Sequence, residues 1–372
     1  MLAAVKPWRV IVKAILIFCV LNFAFIYLDP WLSTHQVYNH LIPGRLRFPW
    51  AQPESELIAH SLSIYDDMDA MFASQLIAGG GKAPDEFRVL FLGDSSIWGD
   101  GISTSETLPG QINTLGLRTC RNQRIVAYNL ALPSLYVMKD LLILNKGLKY
   151  EPDLIVLGVT LRSLVYSDQN ASQFLPSQSD EALALINRYR LNIPVGGLMP
   201  KTPLDQTILA DHANIKNLLI LQMDAIPWIA TGVDGRLTTD LQSRSGNDID
   251  PKNKYMLHGS TLNPESLMFD VLRSADELVR PAPILIINEP IFIATGRNSQ
   301  QYYDAFYTRS LYDQYRRILG EWAVENHQLY FDAWNSIPGS EFTDTPLHLS
   351  ANGEKQLASL LSPLILKLSC SN

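Results

Sequence analysis

The stretch RVLFLGDSSIWGDGI, residues 88–102, decides how the rest of the chain can be arranged. Four apolar residues, 89–92, come directly before the polar turn Gly93-Asp94-Ser95-Ser96. A short apolar run that ends in turn residues is typical of a strand covered on both faces, as in a parallel sheet. Ligands of such sheets bind beyond the carboxyl ends of the strands, so Ser95 is predicted to lie at a ligand site. Gly-Asp-Ser also forms ordinary turns, and the tripeptide alone does not establish catalysis.

A second polar stretch near the C-terminus, FTDTPLHLSANG at residues 342–353, carries Asp344 and His348. A serine hydroxyl is a poor nucleophile at neutral pH unless a base takes its proton, and that base needs a partner that fixes its tautomer. Ser95, His348 and Asp344 are therefore predicted to be nucleophile, base and orienting carboxylate. Two alternatives stay open, because Ser96 also follows Asp94 and His348 is alternatively a buried core histidine.

The two stretches together resemble the GDSL or SGNH hydrolase superfamily, whose first block is Gly-Asp-Ser and whose last block carries Asp and His a few residues apart. The resemblance covers residues 87–368, and only its first and last blocks are specific. It implies the flavodoxin-like, three-layer fold of that superfamily. It also implies an ester hydrolase or acyltransferase.

The same resemblance places oxyanion-hole roles on Ser134 and Thr160. Asn129 and Arg162 are further candidates for substrate binding, because the predicted sheet brings their loops to the same edge. Ser134 stands where the superfamily has the glycine of its second block, and Thr160 stands where it has the asparagine of its third. A backbone N–H remains at Ser134, whereas Thr160 lacks the side-chain amide. Arg162 is interpreted either as a further donor or as a structural cation. The last block also has three residues between its Asp and His where two are usual.

Apolar runs predict five strands, near residues 89–92, 124–130, 153–160, 283–290 and 328–334. Helical patterns lie between them, at residues 105–115, 134–149 and 303–326, and a closing helix is predicted at 352–368. Such alternation favours an α/β fold in which a parallel five-stranded sheet has helices on both faces. The strand order 2-1-3-4-5 suits this pattern.

The sequence pattern predicts three parts of the chain: an anchor at residues 1–30, an approach segment at 31–86 and the main domain at 87–372. A helix is predicted at 54–77 in the approach segment. An insertion, residues 164–280, interrupts the domain with predicted helices at 180–189 and 204–223 and a polar loop at 234–254. The insertion is a predicted lid over the site. The apolar stripe of its second helix is interpreted as core packing or as a lipid-binding face.

Residues 10–28 are apolar except for Lys13 and Asn22, and as a helix they would extend about the thickness of one hydrocarbon core. Basic residues precede the run, so the positive-inside rule predicts a cytoplasmic N-terminus and a periplasmic or extracellular domain. A cleaved signal peptide and a buried helix of a soluble protein are the alternatives. The run is followed by no small-x-small cleavage site, which favours an uncleaved, single-pass membrane anchor.

The 372 residues are 47% hydrophobic and 18% charged, which indicates a globular protein with a sizeable core. A net charge of −7 without a basic block argues against nucleic acid as a partner. No metal site or cofactor is predicted, because the histidines are isolated and no paired-cysteine motif occurs. Cys120 and Cys370 lie in the part predicted to be exported, where either a disulfide or two free thiols is open.

The function predicted from these features is that of a membrane-anchored serine esterase or O-acyltransferase acting on acyl esters. The resemblance implies that the esters belong to cell-envelope or exported polysaccharide, and that a membrane protein supplies the acyl group to transferases of this kind. Hydrolase and transferase use the same three residues, so the sequence leaves the choice open. A non-catalytic envelope binding or scaffold protein that retains the fold is the alternative function.

Overall fold

The computed structural model describes residues 6–35, 44–48, 68–166, 174–231, 249–250, 252, 256–257 and 259–371. Within these ranges one sheet contains five strands: β1 Glu86–Leu92, β2 Arg124–Asn129, β3 Leu154–Val159, β4 Ile284–Asn288 and β5 Leu329–Asp332. Their order is β2-β1-β3-β4-β5, and all neighbours are parallel. The predicted α/β fold class and the predicted strand order are confirmed.

Burial explains why the sequence forms these strands. Every residue of β1, β3 and β4 is buried, as expected for inner strands covered on both faces. The edge strand β2 alternates between buried and more exposed residues. Successive side chains of β1 point to opposite faces, so Leu90 and Leu92 join one apolar cluster while Val89 and Phe91 join the other.

Helices cover both faces of the sheet. In chain order the α-helices of the described chain are α1 Pro7–Thr34, α2 Met68–Ser74, α3 Ser95–Trp98, α4 Leu108–Thr114, α5 Val137–Gly147, α6 Leu161–Leu164, α7 Phe174–Ser177, α8 Ser179–Tyr189, α9 His212–Thr231, α10 Phe269–Val279, α11 Arg309–Glu325 and α12 Ala351–Cys370. Residues of α5, α10 and α11 belong to the first cluster, and residues of α4 and α12 belong to the second. The sheet therefore lies between two helical layers.

The described part of the approach segment packs into the domain. Phe48 and Phe72 are fully buried in the same apolar cluster as Leu90 of β1. Gln75 Nε2 donates to Asn129 O at 2.8 Å, at the end of β2. These contacts join the described part of the approach segment to the domain predicted at residues 87–372. Of the helix predicted at 54–77, residues 54–67 lie outside the described residues, and α2 forms part of the remainder.

The insertion agrees with one predicted helix and corrects the other. The helix predicted at 180–189 is α8, whereas the helix predicted from residue 204 begins only at His212. Thr202 donates from its N–H and its hydroxyl to Asp205 Oδ2, at 2.8 and 2.6 Å, and residues 203–211 form turns and bends before the helix begins. Most of the polar loop at 234–254, on which the lid hypothesis depends, lies outside the described residues.

The N-terminal helix α1 is long and apolar enough to cross a membrane. The apolar 18-residue window within its 23-residue stretch Pro7–Asp29 has a mean hydropathy of 2.4, and only 6% of that window is buried inside the protein. A core helix covers most of its apolar surface, whereas the described part of the chain leaves most of this window uncovered.

Cys120 and Cys370 are free thiols in contact, although 250 positions separate them. The Cys120 N–H lies 3.1 Å from Cys370 Sγ. A hydrogen bond between the two thiols raises the pKa of Cys120 and lowers the pKa of Cys370. Cys370 is therefore the thiol that ionises more easily, and the thiolate is the reactive form in disulfide formation.

We expect a Cys120–Cys370 disulfide to form when the full chain meets an oxidised dithiol. It would raise the melting temperature by about 5 °C or more, because it closes a long loop in the unfolded chain. Peptide mapping without reductant should recover the linked pair, and Cys19→Ser should not change it. Recovery of both residues as alkylated thiols after oxidation would contradict the expectation.

Candidate active site

Loops from all five strands meet at the carboxyl edge of the sheet. Ser95 follows β1, Ser134 follows β2, Thr160 follows β3, Glu289 follows β4 and His348 lies in the loop after β5. Neighbouring strands are parallel, so their carboxyl ends share one edge, which is where ligands of such sheets bind.

Ser95, His348 and Asp344 form a continuous chain of hydrogen bonds. His348 Nε2 lies 2.8 Å from Ser95 Oγ, and His348 Nδ1 lies 2.9 Å from Asp344 Oδ1. One neutral tautomer satisfies both contacts: Nδ1–H donates to the carboxylate, and Nε2 accepts the serine proton. His348 is only 6% exposed, whereas Ser95 is half-buried and open to solvent on one side.

The loop that carries Asp344 and His348 is closed by its own hydrogen bonds. The His348 N–H donates to Thr345 Oγ1 at 3.1 Å, and the Thr343 N–H donates to His348 O at 2.9 Å. Thr343 Oγ1 also donates to Asp344 Oδ1 at 3.1 Å. These contacts accommodate the third residue between Asp344 and His348, and the carboxylate still reaches the imidazole.

Burial disfavours the charged forms of both His348 and Asp344, but their mutual hydrogen bond and charge attraction outweigh it. The pKa of His348 is raised above its usual value, with further contributions from Asp100 and Asp94. The pKa of Asp344 is lowered. Asp344 thus stays ionised, and the imidazolium that a proton transfer would create is stabilised.

The backbone before Ser95 has a conformation that only glycine adopts readily. Gly93 has a φ of +149°, and a Cβ at this position would lie 2.7 Å from Ile97 Cγ1. Asp94 then caps α3 by accepting from the Ser96 N–H at 2.8 Å. This turn places Ser95 at the first position of the helix.

The structure distinguishes Ser95 from Ser96. Ser96 is buried and donates its hydroxyl to Glu289 Oε2, whereas the contact with His348 belongs to Ser95. Burial, together with the charge of Asp94, raises the pKa of Glu289 well above its usual value. Gly158 leaves room for this carboxyl group, because a Cβ there would lie 2.3 Å from Glu289 Oε1. Glu289 is thus a neutral support beneath α3.

The loop after β2 runs beside the turn Gly93-Asp94-Ser95-Ser96. The Leu132 N–H donates to Gly93 O at 3.1 Å. Ser134, two residues further on, is half-buried, and its hydroxyl oxygen has no hydrogen-bond partner in the part of the chain that the structure describes. Ser134 remains a candidate donor to a substrate.

Asn129 and Thr160 are buried and make structural contacts, and their place in substrate binding stays a prediction. Asn129 is 2% exposed, and its amide donates to Ile97 O at 3.0 Å and accepts from the Ala131 N–H at 3.1 Å. Thr160 has no exposed surface and caps α6 through reciprocal hydrogen bonds with Ser163. Short polar side chains commonly serve as such caps.

Arg162 lies in α6, two residues after Thr160, and is half-buried. Both of its interpretations remain predictions. Across the described ranges, no three His, Cys, Asp or Glu side chains form a group that could hold a metal ion.

The sequence analysis did not identify Arg47, which holds the other end of α3. Its guanidinium donates to Gly99 O at 2.7 Å and to Trp98 O at 3.3 Å, and it stacks 3.9 Å from the Trp98 ring centroid. Burial lowers the pKa of Arg47 to about 10, although Asp100 opposes this shift. A cation at a helix C-terminus is favourable. No periodic pattern surrounds Arg47, so only the fold reveals its role.

A buried ion pair on α5 supports the turn that carries Ser95. Lys139 Nζ donates to Gly93 O and to Asp140 Oδ1, both at 2.7 Å. Burial raises the pKa of Asp140 to about 6, and Lys139 opposes that increase. Adjacent charges at the start of an otherwise apolar helix were a sequence signal for this support.

No known protein family and no curated protein sequence matches the chain. Among solved structures, it is similar to a carbohydrate acetylesterase family member from Sinorhizobium meliloti, with a TM-score of 0.34, 13% identity and coverage of 76% of this chain and 98% of that one. It is also similar to the native M. smegmatis aryl esterase, with a TM-score of 0.34, 14% identity and coverage of 76% of this chain and 99% of that one. For a family two carbohydrate esterase from Clostridium thermocellum the TM-score is 0.35 and the identity 11%, with coverage of 75% of this chain and 63% of that one. Similarity at this level carries no argument about activity.

Glu289→Gln should change stability in a pH-dependent way. Below the usual carboxyl pKa, Glu289 is protonated in both the unfolded and the folded wild type. The difference in free energy of unfolding between wild type and variant is therefore constant there. At higher pH only the unfolded chain ionises there, so the wild type loses stability relative to the variant as the pH rises from the usual carboxyl pKa toward the raised pKa of folded Glu289. Urea unfolding from pH 4 to pH 8 measures this difference. Glu325→Gln, an exposed change at the end of α11, is the control, and a pH-independent difference would contradict the account.

Proposed function

We propose that this chain is a serine esterase or O-acyltransferase with Ser95, His348 and Asp344 as its catalytic residues. The hydrogen-bond chain through these three side chains is the observation that carries the proposal. The sequence resemblance to the GDSL or SGNH hydrolases supports the same reaction class.

The reaction follows from the roles that these side chains can take. His348 Nε2 takes the hydroxyl proton of Ser95 as Oγ attacks the acyl carbon, and the imidazolium is stabilised by Asp344. The same proton then passes to the leaving alcohol, which yields an acyl-serine. Water completes hydrolysis, whereas a sugar hydroxyl completes transfer.

The negative oxygen of the tetrahedral intermediate needs donors at the same edge of the sheet. The Ser95 N–H at the start of α3 is one candidate, and the loop that carries Ser134 supplies the other. One such donor is typically worth about 10²–10³ in rate. With Asn129 and Thr160 buried, backbone N–H groups carry most of this stabilisation in the proposed mechanism.

The proposed location is a membrane, with α1 as a single-pass anchor. Lys6, Arg9 and Lys13 precede or begin the apolar run, so the N-terminus is cytoplasmic and the domain is periplasmic or extracellular. The proposed substrates are acyl esters of cell-envelope or exported polysaccharide, and a membrane protein that donates acyl groups is the proposed partner for transfer.

A non-catalytic binding or scaffold protein is the second candidate function. The burial of Asn129 and Thr160 favours it, because it removes two predicted side-chain donors from the site. The geometry of Ser95 and His348 favours catalysis.

Fluorophosphonate labelling of the detergent-solubilised full chain separates the two functions. We expect labelling of wild type and Ser96→Ala and none of Ser95→Ala, because only Ser95 contacts the base. Ser95→Ala and His348→Ala should each lower kcat for a short-chain aryl ester by at least about 10³-fold, since the residues act as one unit. An unlabelled wild type, or an active Ser95→Ala, would remove the catalytic assignment.

The pH profile of kcat/KM should shift with the charges around His348. The base works only when neutral, and Asp344 raises its pKa, so the acid limb lies above the usual pKa of histidine. Asp344→Asn should move this limb to lower pH while lowering kcat by about 10²-fold or more. Asp100→Asn, which removes a charge but not the orienting contact, should shift the limb in the same direction with a smaller loss of kcat. A limb that stays in place in both variants would rule out His348 as the titrating base.

A further inference from the structure

The insertion exposes an apolar surface that the proposed reaction does not use. Seven large apolar side chains in residues 199–231 are 46% to 78% exposed: Met199, Leu204, Leu209, Leu219, Ile220, Met223 and Ile226. We call these residues the insertion face. Single exposed apolar residues are ordinary, but so many within one segment mark a candidate interaction site.

On α9 the exposed apolar residues follow helical spacing. Positions 219, 220, 223, 226, 227 and 230 are exposed and apolar, and they recur every three or four residues along one side of the helix. Lys216 is the charged residue on this side among those whose side chains are described. An amphipathic helix normally turns such a stripe toward the protein core, whereas α9 turns it outward.

The insertion face adjoins α1. The Leu209 N–H donates to Asn22 Oδ1 at 3.1 Å. Asn22 lies within the apolar stretch Pro7–Asp29, and it is buried although almost none of the apolar window of that stretch is. A polar residue in a membrane span is costly unless it has a partner, and this contact supplies one.

The position of Asn22 sets the depth of Leu209. Asn22 lies roughly 10 Å along the helix from Asp29, at 1.5 Å per residue. If α1 spans the bilayer as proposed, Leu209 is placed about 10 Å inside a hydrocarbon core of about 30 Å. A backbone N–H at that depth requires an acceptor from the protein, and Asn22 Oδ1 is that acceptor.

We propose that residues 204–231 insert into the bilayer leaflet on the side of the catalytic domain, so that lipid acyl chains cover the insertion face. This inference rests on the membrane anchor of the proposed function. Lipid is the occupant because the face is continuous with α1, whose own surface is exposed and apolar, and because Leu209 lies at the level of that surface. The domain is then fixed to the membrane at two places, which sets the orientation of Ser95 relative to the lipid surface.

Depth-dependent quenching tests the proposal in the full chain. The protein is reconstituted in phosphatidylethanolamine and phosphatidylglycerol vesicles that contain doxyl-labelled phosphatidylcholine. One nitrobenzoxadiazole dye is attached at Leu209→Cys or Met223→Cys after Cys19, Cys120 and Cys370 are changed to Ser. Val324→Cys is the matched control, because Val324 is 76% exposed on α11 and Met223 is 71% exposed on α9.

A dye on the native Cys19, with the other two cysteines changed to Ser, reports on the anchor itself. We expect quenching at positions 19, 209 and 223 to exceed that at 324 by about threefold or more, because the acyl chains carry the quencher. Asn22→Leu should lower quenching at 209 toward the control and leave position 19 unchanged, since Leu209 loses its acceptor.

Quenching at 19 with control values at 209 and 223 would overturn the inference and leave the anchor intact. Control values at positions 19, 209 and 223 would overturn both the inference about the insertion face and the membrane anchor. Efficient bis-maleimide cross-linking between two chains of the Met223→Cys variant, without quenching at that position, would assign the face to a second copy and overturn the lipid assignment. Unchanged quenching at 209 in Asn22→Leu would overturn the role of Asn22 in setting that depth.

Discussion

Parallel pairing of the five strands brings the loop after each strand to one edge, and the site depends on this constraint. Ser95 leaves β1 near the start of the domain, and His348 lies in the loop after the last strand. The hydrogen bond between them joins residues 253 positions apart. Loop closure over such a distance costs entropy, which the buried strands offset by removing apolar surface from water. The register of the sheet therefore fixes where Ser95 meets His348.

Beneath the nucleophile, buried polar groups hold one short helix in place. Arg47 holds the C-terminal end of α3, Glu289 accepts from Ser96, and Lys139 binds the carbonyl of Gly93. Buried charges and carboxyl groups stabilise little by themselves, because desolvation opposes their attraction. Their value is positional, since each fixes a backbone or hydroxyl group within reach of the base. Ser95 lies on a four-residue helix that needs such support, because so short a helix has few hydrogen bonds of its own.

The approach segment packs against the site, and the insertion contacts α1. Arg47 and Phe48 follow α1 in the chain, and both contact Trp98 at the end of the nucleophile helix. The insertion reaches α1 through Leu209 and Asn22. The packing of the domain thus joins elements that the sequence pattern separates into anchor, approach segment and domain.

Local patterns in the sequence determined the strands and the candidate residues Ser95 and His348, because strand periodicity and turn chemistry are properties of neighbouring residues. The strand order was predicted from the alternation of strands and helices along the chain. Tertiary structure decided which serine meets the base, since Ser95 and Ser96 differ only in the direction in which α3 points them. It also decided that Thr160 caps a helix and that Arg47 supports the site. These outcomes depend on contacts between distant segments, and the free energy of such contacts comes from packing and from satisfying buried polar groups, which periodicity along the chain does not report.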